Sequence, residues 1–327
     1  MSEKKCYEKC AKKTVIGGQA LIEGIYMRGP EKTATVIRRS DGTHTVRERA
    51  FTPAKKKFAP LGWPFIRGIF IFGSSIKDGV AELMFSAENS EFEDTEPTKF
   101  DLWVEKKIGA ERAEKLLMGF SVVLGVLMPI ALFILLPTLL SSFVNFGEMY
   151  WLRSLCEGVL RMAIFILFIF STSRMKDMRR VYAYHGAEHK TIHCYEAGEE
   201  LTVENVRRHT RKHPRCGTSF LFVVMIISIV FFSFVRTDIW FPAVTAGWAQ
   251  TLIRLGSRIV LLPVVLNVSY EFNRLVGRYD NFLTKALRWP GVAMQSMTTN
   301  EPTDEMIEVA IDALSRVIPE NSEADKW

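Results

Sequence analysis

Long apolar stretches alternate with dense charge along this chain. From Leu116 to Phe146 no residue is charged. A bilayer core needs about 20 apolar residues of helix, so this run is predicted to cross a membrane. Pro129 and Pro137 should kink it, which a membrane helix tolerates where neighbouring groups satisfy the freed carbonyls. Ser154 to Ser173 ends in MAIFILFIFSTS and carries Glu157 and Arg161 in its first half, so that half is expected to face a partner helix. Gly217 to Val235 is uncharged and rich in Phe, Val and Ile. Ile259 to Tyr270 is too short alone and must borrow residues from Gln250 onward, including Arg254 and Arg258. Leu61 to Ser86 is apolar but broken by Arg67, Lys77 and Asp78, and reads as a helix lying in the interface or packed on the bundle. A soluble core explains this pattern poorly, because an uncharged run as long as the first is rare in globular helices.

Shorter periods mark the polar parts. TATVIRR (Thr33 to Arg39) and THTVRER (Thr43 to Arg49) alternate in the strand period around Ser40-Asp41-Gly42, which predicts a β-hairpin. IGGQALIEGIYMRGP (Ile16 to Pro30) does not fit a phosphate-loop pattern and reads as a glycine turn leading into a packed strand, with Glu23 a candidate site acid. Glu88 to Glu96 reads as a solvated acidic linker. Pro302 and Thr303 signal a helix start, after which Ile307, Ile311, Leu314 and Val317 share one face of an amphipathic helix that should dock on the rest.

Composition narrows the class. The 327 residues are 48% hydrophobic and 24% charged, with a mean hydropathy of +0.09, which excludes a disordered chain. Five cysteines, an odd count, exclude a disulfide scaffold and argue for reduced thiols. Cys6 and Cys10 read as ordinary thiols in a basic tail that has no signal-peptide core. Lys and Arg crowd the first 60 residues, the segment from Arg174 to Arg215, and the stretch after the last span. The link between spans one and two holds only Arg153. The positive-inside rule then places both termini and the 174–218 loop in the cytoplasm of a multi-pass plasma-membrane protein. That bias accounts for the net charge of +6, and nucleic acid is not needed to explain it.

The expected architecture is a mainly α integral membrane protein. It has four transmembrane helices plus an interfacial helix, and a small cytoplasmic α+β cap including the N-terminal β-hairpin. In chain order, 1–60 is the cytoplasmic N-terminal region, 61–86 the interfacial helix, and 87–115 an acidic linker and helix. Transmembrane helices 1–2 occupy 116–173, the His/Cys loop 174–218 and transmembrane helices 3–4 219–272. A cytoplasmic C-terminal region fills 273–327.

The 174–218 loop holds five of the six histidines and two of the five cysteines. His185-Gly-Ala-Glu188-His189 is an H-x-x-E-H pattern, which on a helix presents two imidazoles to one point with Glu188 beside them. His193 and Glu196 extend the same face. His213-Pro214-Arg215-Cys216 adds an H-x-x-C on a turn, with Cys216 a candidate thiolate. Two histidines four apart are the usual helical half of a zinc site, and His185, His189, His213 and Cys216 make four nitrogen and sulfur ligands. Three readings stay open: an open metal site with Glu188 as general base, as in an inverted zincin; a closed four-ligand site that staples the loop; or a polar network without metal. Asn267 and Glu271 lie four apart near the end of the last span. Asn267 reads as a cross-helix hydrogen bonder and Glu271 as a further ligand or orienting acid.

The words GGQALIEGIYMRGP, YHGAEHKTIHCYE, HPRCGTSFL and GRYDNFLTKALRWPG…MTTNEPTDEMIEVAI together resemble the YqhQ-like family of bacterial membrane proteins. The resemblance covers nearly the whole chain. It implies an integral membrane protein, described as a predicted metal-dependent enzyme, with His185, Glu188, His189, His213 and Cys216 as its candidate residues and no substrate attached. The resulting expectation is a zinc-dependent hydrolase at the inner membrane face. The alternative is a non-enzymatic scaffold or assembly factor in which Arg179, Arg180, Arg207, Arg208 and Arg211 bind anionic headgroups of the lipid bilayer or an acidic partner. A transporter is weakened by the few polar residues within the spans.

Overall fold

The computed structural model describes residues 13–325 apart from 54–57, 65, 91–102, 104–105, 108, 145, 148, 245 and 280. Cys6, Cys10 and most of the acidic linker lie outside the described residues. The chain divides into two compact units: Met1–Glu91, Ile169–Val224 and Leu266–Trp327 form one, and Phe92–Phe168 with Met225–Val265 the other.

The first unit opens with an antiparallel meander, β1 (Gly17–Leu21), β2 (Gly24–Arg28), β3 (Lys32–Arg38) and β4 (His44–Ala50), in that order across the sheet. The expected hairpin is β3–β4, with Val36 opposite Val46. The glycine segment does more than lead into a strand, because it forms a second hairpin, β1–β2. Its tight turn places Glu23 at φ +51, a left-handed conformation uncommon outside glycine. Gly24 follows because a Cβ there would stand 2.5 Å from the Val36 carbonyl oxygen of the next strand. Helix α1 (Arg67–Asn89) packs on this sheet. Its buried Glu82 accepts from Thr35 Oγ1 at 2.5 Å and pairs with Arg47, while Ser86 Oγ donates to the Ile22 carbonyl at 2.5 Å. The segment expected in the interface is thus tied to a sheet by hydrogen bonds.

In the second unit, α2 (Ala110–Ile130) runs through a π turn, Ala131–Leu135, into α3 (Leu136–Ser142). Pro137 has no N–H to give the carbonyl four residues back, Phe133, and Arg161 Nε donates to that oxygen instead at 2.7 Å. Arg161 belongs to α4 (Tyr150–Thr172), whose Glu157 and Arg161 are both buried against partner helices, as expected. The polar α5 (Lys176–Glu196) follows, then the short α6 (Val203–Arg207), α7 (Gly217–Ser233), α8 (Thr237–Trp240) and α9 (Gly247–Arg278). The chain closes with α10 (Phe282–Thr298), started by an Asn281–Thr284 capping box, and α11 (Asp304–Ser315).

Gly119–Ser142, α4 and α9 are each long and apolar enough to cross a membrane. The fourth expected span, α7, has 17 residues, about 25 Å at 1.5 Å per residue, short of the roughly 30 Å hydrocarbon core. Phe120, Val123, Leu127, Val159, Leu167 and Val260 are more than half exposed on these helices, a surface that needs an apolar solvent. The molecule is mainly helical and membrane-associated.

The core of the first unit lies between the sheet, α5 and α11. Ile25, Met27 and Val36 from the strands meet Ala183, Tyr184, Ala187 and Ile192 from α5, and Ile307, Ala310, Leu314 and Val317 from the C-terminal segment. Burying each large aliphatic side chain contributes about 1.5–3 kcal/mol. Ile307, Leu314 and Val317 lie on the predicted amphipathic face and are fully buried, while Ile311 packs at its edge.

Candidate metal centre

Helix α5 is the anomaly of the fold. Its composition is polar, yet Glu188, His189, Lys190, His193 and Glu196 are all buried. Buried polar groups require partners, and these partners divide the stripe into two groups.

At the first, His185 Nδ1 bonds the Thr298 carbonyl at 2.8 Å and His189 Nδ1 bonds the Arg211 carbonyl at 2.6 Å. A carbonyl only accepts, so each Nδ1 carries a proton and Nε2 is the nitrogen left to face the thiol. His185 Nε2 lies 3.2 Å from Cys216 Sγ, and the two rings stand 4.3 Å apart. One ligand atom each from His185, His189 and Cys216 falls within 4.8 Å of the others. Two imidazoles and a thiolate, with carbonyls fixing the tautomers, suit zinc in donor type and orientation. Glu188 stands beside them, fully buried, and accepts the Gly18 N–H at 3.0 Å. Gly18 has no substitute there, because a Cβ would lie 2.6 Å from the Tyr26 carbonyl oxygen and 3.1 Å from the Glu188 carboxyl carbon.

The electrostatics favour a thiolate–imidazolium pair, whose Nε2 proton a bound cation would have to displace. Burial opposes a thiolate at Cys216, but His185 and His189 outweigh it and hold the group well below the ordinary thiol range. Burial likewise opposes charge on His185, and the Cys216 thiolate overrides it, raising the imidazole to about 9. Burial raises the Glu188 carboxyl, with His189 and His185 offsetting part of the rise. A carboxyl moved upward toward neutrality is suited to exchanging protons with a substrate or water.

The second group is His193, Glu196 and His213. His213, expected beside Cys216 as a fourth ligand, turns away. Its Nδ1 accepts the Arg215 N–H at 3.4 Å, and its Nε2 stands 3.6 Å from Glu196 Oε2. Gln295 causes this, accepting the His213 N–H at 2.7 Å and donating to the His213 carbonyl at 2.7 Å, so that the H-x-x-C turn is clamped onto α10. Glu196 is neutralised by Arg215 and accepts the Thr14 N–H at 2.8 Å. Burial works against its charge, but His213 and Arg215 prevail and lower it to about 2. Burial pushes His193 down to about 4, so it is neutral, and its Nε2 bonds the Lys212 carbonyl at 2.9 Å. A third set, Cys194, Glu199 and His209, surrounds a thiol that burial pushes up to about 12, which makes it a poor ligand.

The other candidates are not brought to the histidines. Glu271 forms a two-pronged pair with Arg67, its Oε1 accepting Nε at 2.6 Å, while Asn267 accepts the Gly68 N–H at 2.9 Å. Asn267 is thus the cross-helix hydrogen bonder expected of it. Glu23 is held by Arg180 at 2.6 and 2.7 Å and by Tyr184 at 3.2 Å. Of the arginines expected at headgroups, Arg180 pairs with Glu23, Arg207 with Asp304 and Arg208 with Glu204. Sequence reasoning missed Gly18, Gln295, and the carbonyls of Thr298 and Arg211. The paired glycines at 17–18 were the one available signal for the first, since they mark a close backbone approach.

No solved structure matches the chain. It is 30% identical over 305 residues, 92% of each chain, to a Bacillus subtilis (strain 168) protein described as uncharacterized protein YqhQ. Residues 63–320, which include every histidine and cysteine of the two groups, match the model of a family described as protein of unknown function (DUF1385), and the chain belongs to that family.

Proposed function

We propose that this protein is a metal-dependent membrane enzyme of hydrolytic type, with His185, His189 and Cys216 as metal ligands and Glu188 as general base. One observation carries the reading: both histidines give Nδ1 to backbone carbonyls and turn Nε2 toward a thiol predisposed to ionise. Three donors leave a coordination position open, which distinguishes a catalytic from a structural zinc site. The cation would supply a Lewis acid and lower the pKa of water. Glu188, oriented by Gly18 N–H, would take the proton from the attacking water and return it to the leaving group. His193, Glu196, His213 and Arg215 hold the turn that carries Cys216. In this reading the chain crosses the bilayer four times with α5 on the cytoplasmic face, as its Lys and Arg distribution supports.

Elemental analysis of the purified full-length protein tests the assignment. Wild type should carry about one zinc-class ion per chain. His185→Ala, His189→Ala and Cys216→Ala should each lose it, whereas Glu188→Gln and His213→Ala keep it. Loss on His213→Ala equal to that on Cys216→Ala would establish a closed four-ligand site and remove the open position.

A further inference from the structure

Arg153 and Arg161 on α4 and Arg254 and Arg258 on α9 stand among the apolar helices of the second unit. A guanidinium stays protonated in proteins, so away from water each needs a counter-charge or acceptors. Two are provided for. Arg161 donates to the Phe133 carbonyl at 2.7 Å and through Nη1 to Ser228 Oγ at 3.0 Å. Arg258 pairs with Glu157, whose other oxygen accepts from Ser141 Oγ at 2.5 Å. The remaining two are under-served. Arg153 Nε is 3.7 Å from the already engaged Glu157, and Arg254 reaches Thr251 Oγ1 at 3.0 Å through Nη2. Among the described residues, the Nε atoms of both are buried without a hydrogen-bond partner.

Arg153 and Arg254 line one cavity of 40 Å³ together with Tyr150, Thr237, Phe241 and Gln250. At roughly 10–15 Å³ per water-sized group, it has room for about three such groups. The cavity's depth is informative. Arg153 lies three residues into α4, which begins at Tyr150, and Arg254 seven into α9, which begins at Gly247. At 1.5 Å per residue these are about 5 and 10 Å from the helix ends. Exposed Trp151 and Trp248 flank the same ends, as aromatic residues do at the membrane–water interface. Both arginines therefore lie within about two helical turns of ends whose exposed tryptophans suit the membrane–water interface, and long arginine stems can reach back toward it.

We propose that this cavity binds a phosphate oxyanion between Arg153 and Arg254, and that its source is the phosphodiester of an anionic phospholipid. Two guanidinium groups whose Nε–H donors have no acceptor match the acceptor-only oxygens of such a group. Gln250 and Thr237 add neutral polar groups to the same wall. Binding would supply the charge that Glu157, committed to Arg258, does not. The inference rests on α4 and α9 crossing a membrane and is independent of the histidine site.

Full-length protein in nanodiscs of phosphatidylcholine alone, and of phosphatidylcholine with phosphatidylglycerol, separates the sources. Thermal unfolding and native mass spectrometry are the readouts, with inorganic phosphate titrated into the first preparation. Wild type should retain phosphatidylglycerol and melt higher in its presence. Arg153→Gln and Arg254→Gln should each weaken retention by about tenfold or more, the value of one charge-assisted hydrogen bond, while Lys32→Gln on the sheet leaves it unchanged. A melting rise with inorganic phosphate and no retained lipid would support the oxyanion site and reassign its source to the free ion. The proposal is overturned if neither probe raises the wild-type melting temperature, or if both arginine variants bind as wild type does. Should those variants fail to fold, the wild-type arms alone decide.

Discussion

Replacing Arg215 with Gln should unlock the second histidine group and, through it, the first. Arg215 Nη2 pairs with Glu196 and Nη1 donates to the Thr14 carbonyl at 2.9 Å, with side-chain exposures of 12% for Arg215 and 3% for Glu196. Removing one partner of a buried pair leaves an uncompensated charge, at a cost of about 3–5 kcal/mol. The carboxyl itself gives a comparable figure: moved from its ordinary 4.5 to about 2, it carries about 3 kcal/mol of folding free energy at neutral pH. Because the folded value is depressed, that contribution is complete above about pH 4.5 and is lost as pH falls from there toward 2. In the variant Glu196 keeps the Thr14 N–H and His213 but not the guanidinium, so its proton affinity rises. The stability gap between wild type and variant should therefore be widest near pH 7 and close only as pH falls below about 4.5 toward 2. At about 2–4 °C per kcal/mol, the melting temperature at pH 7 should drop by roughly 6–20 °C. Adding Glu196→Gln to Arg215→Gln should recover part of it, since the orphaned charge is gone. Because Cys216 is the next residue, zinc affinity should fall by about 10–100-fold, as for loss of an outer-shell support. A variant that melts within 2 °C of wild type, or a double variant less stable than the single, would refute the reasoning.

Three further outcomes follow from the same contacts. Gln295→Ala removes the clamp on His213 and a 2.9 Å bond to Ser219, leaving buried groups unpaired at about 1–3 kcal/mol each; amide exchange at residues 213–216 should accelerate sharply, and unchanged protection would contradict the clamp. Gly18→Ala drives a Cβ against the Tyr26 carbonyl and the Glu188 carboxyl, so it should cost about 1–3 kcal/mol, measured by thermal melting, and misplace the base while zinc content stays near one per chain. Glu271→Gln should leave zinc content untouched while lowering stability through the Arg67 pair; zinc loss would return Glu271 to the ligand set.

Much of the candidate site was legible in the chain because its residues are local. His185, Glu188, His189, His193 and Glu196 share a helix face by the 3.6-residue period alone, and that stripe is what α5 buries. The apolar runs announced long apolar helices for a similar reason, since about twenty consecutive uncharged residues are enough to cross a bilayer as one helix. Even an irregularity near Pro137 was implied and appears as the π turn Ala131–Leu135, although the group that satisfies the freed carbonyl, Arg161, is decided by which helix packs alongside.

Tertiary structure decided the rest. His213 and Cys216 are three residues apart and were natural co-ligands, yet a turn aims its side chains by whatever grips its backbone. Gln295 and Arg215 send the imidazole to Glu196 and the thiol to His185. Gly18 reaches Glu188 across 170 positions, and Glu271 meets Arg67 across 204. The β1–β2 hairpin escaped notice because its strands lack polar alternation and its left-handed residue is a glutamate. Periodicity carries information over a few turns of chain. Hydrogen bonds between distant segments exist only once the core of sheet, α5 and α11 has excluded water from them.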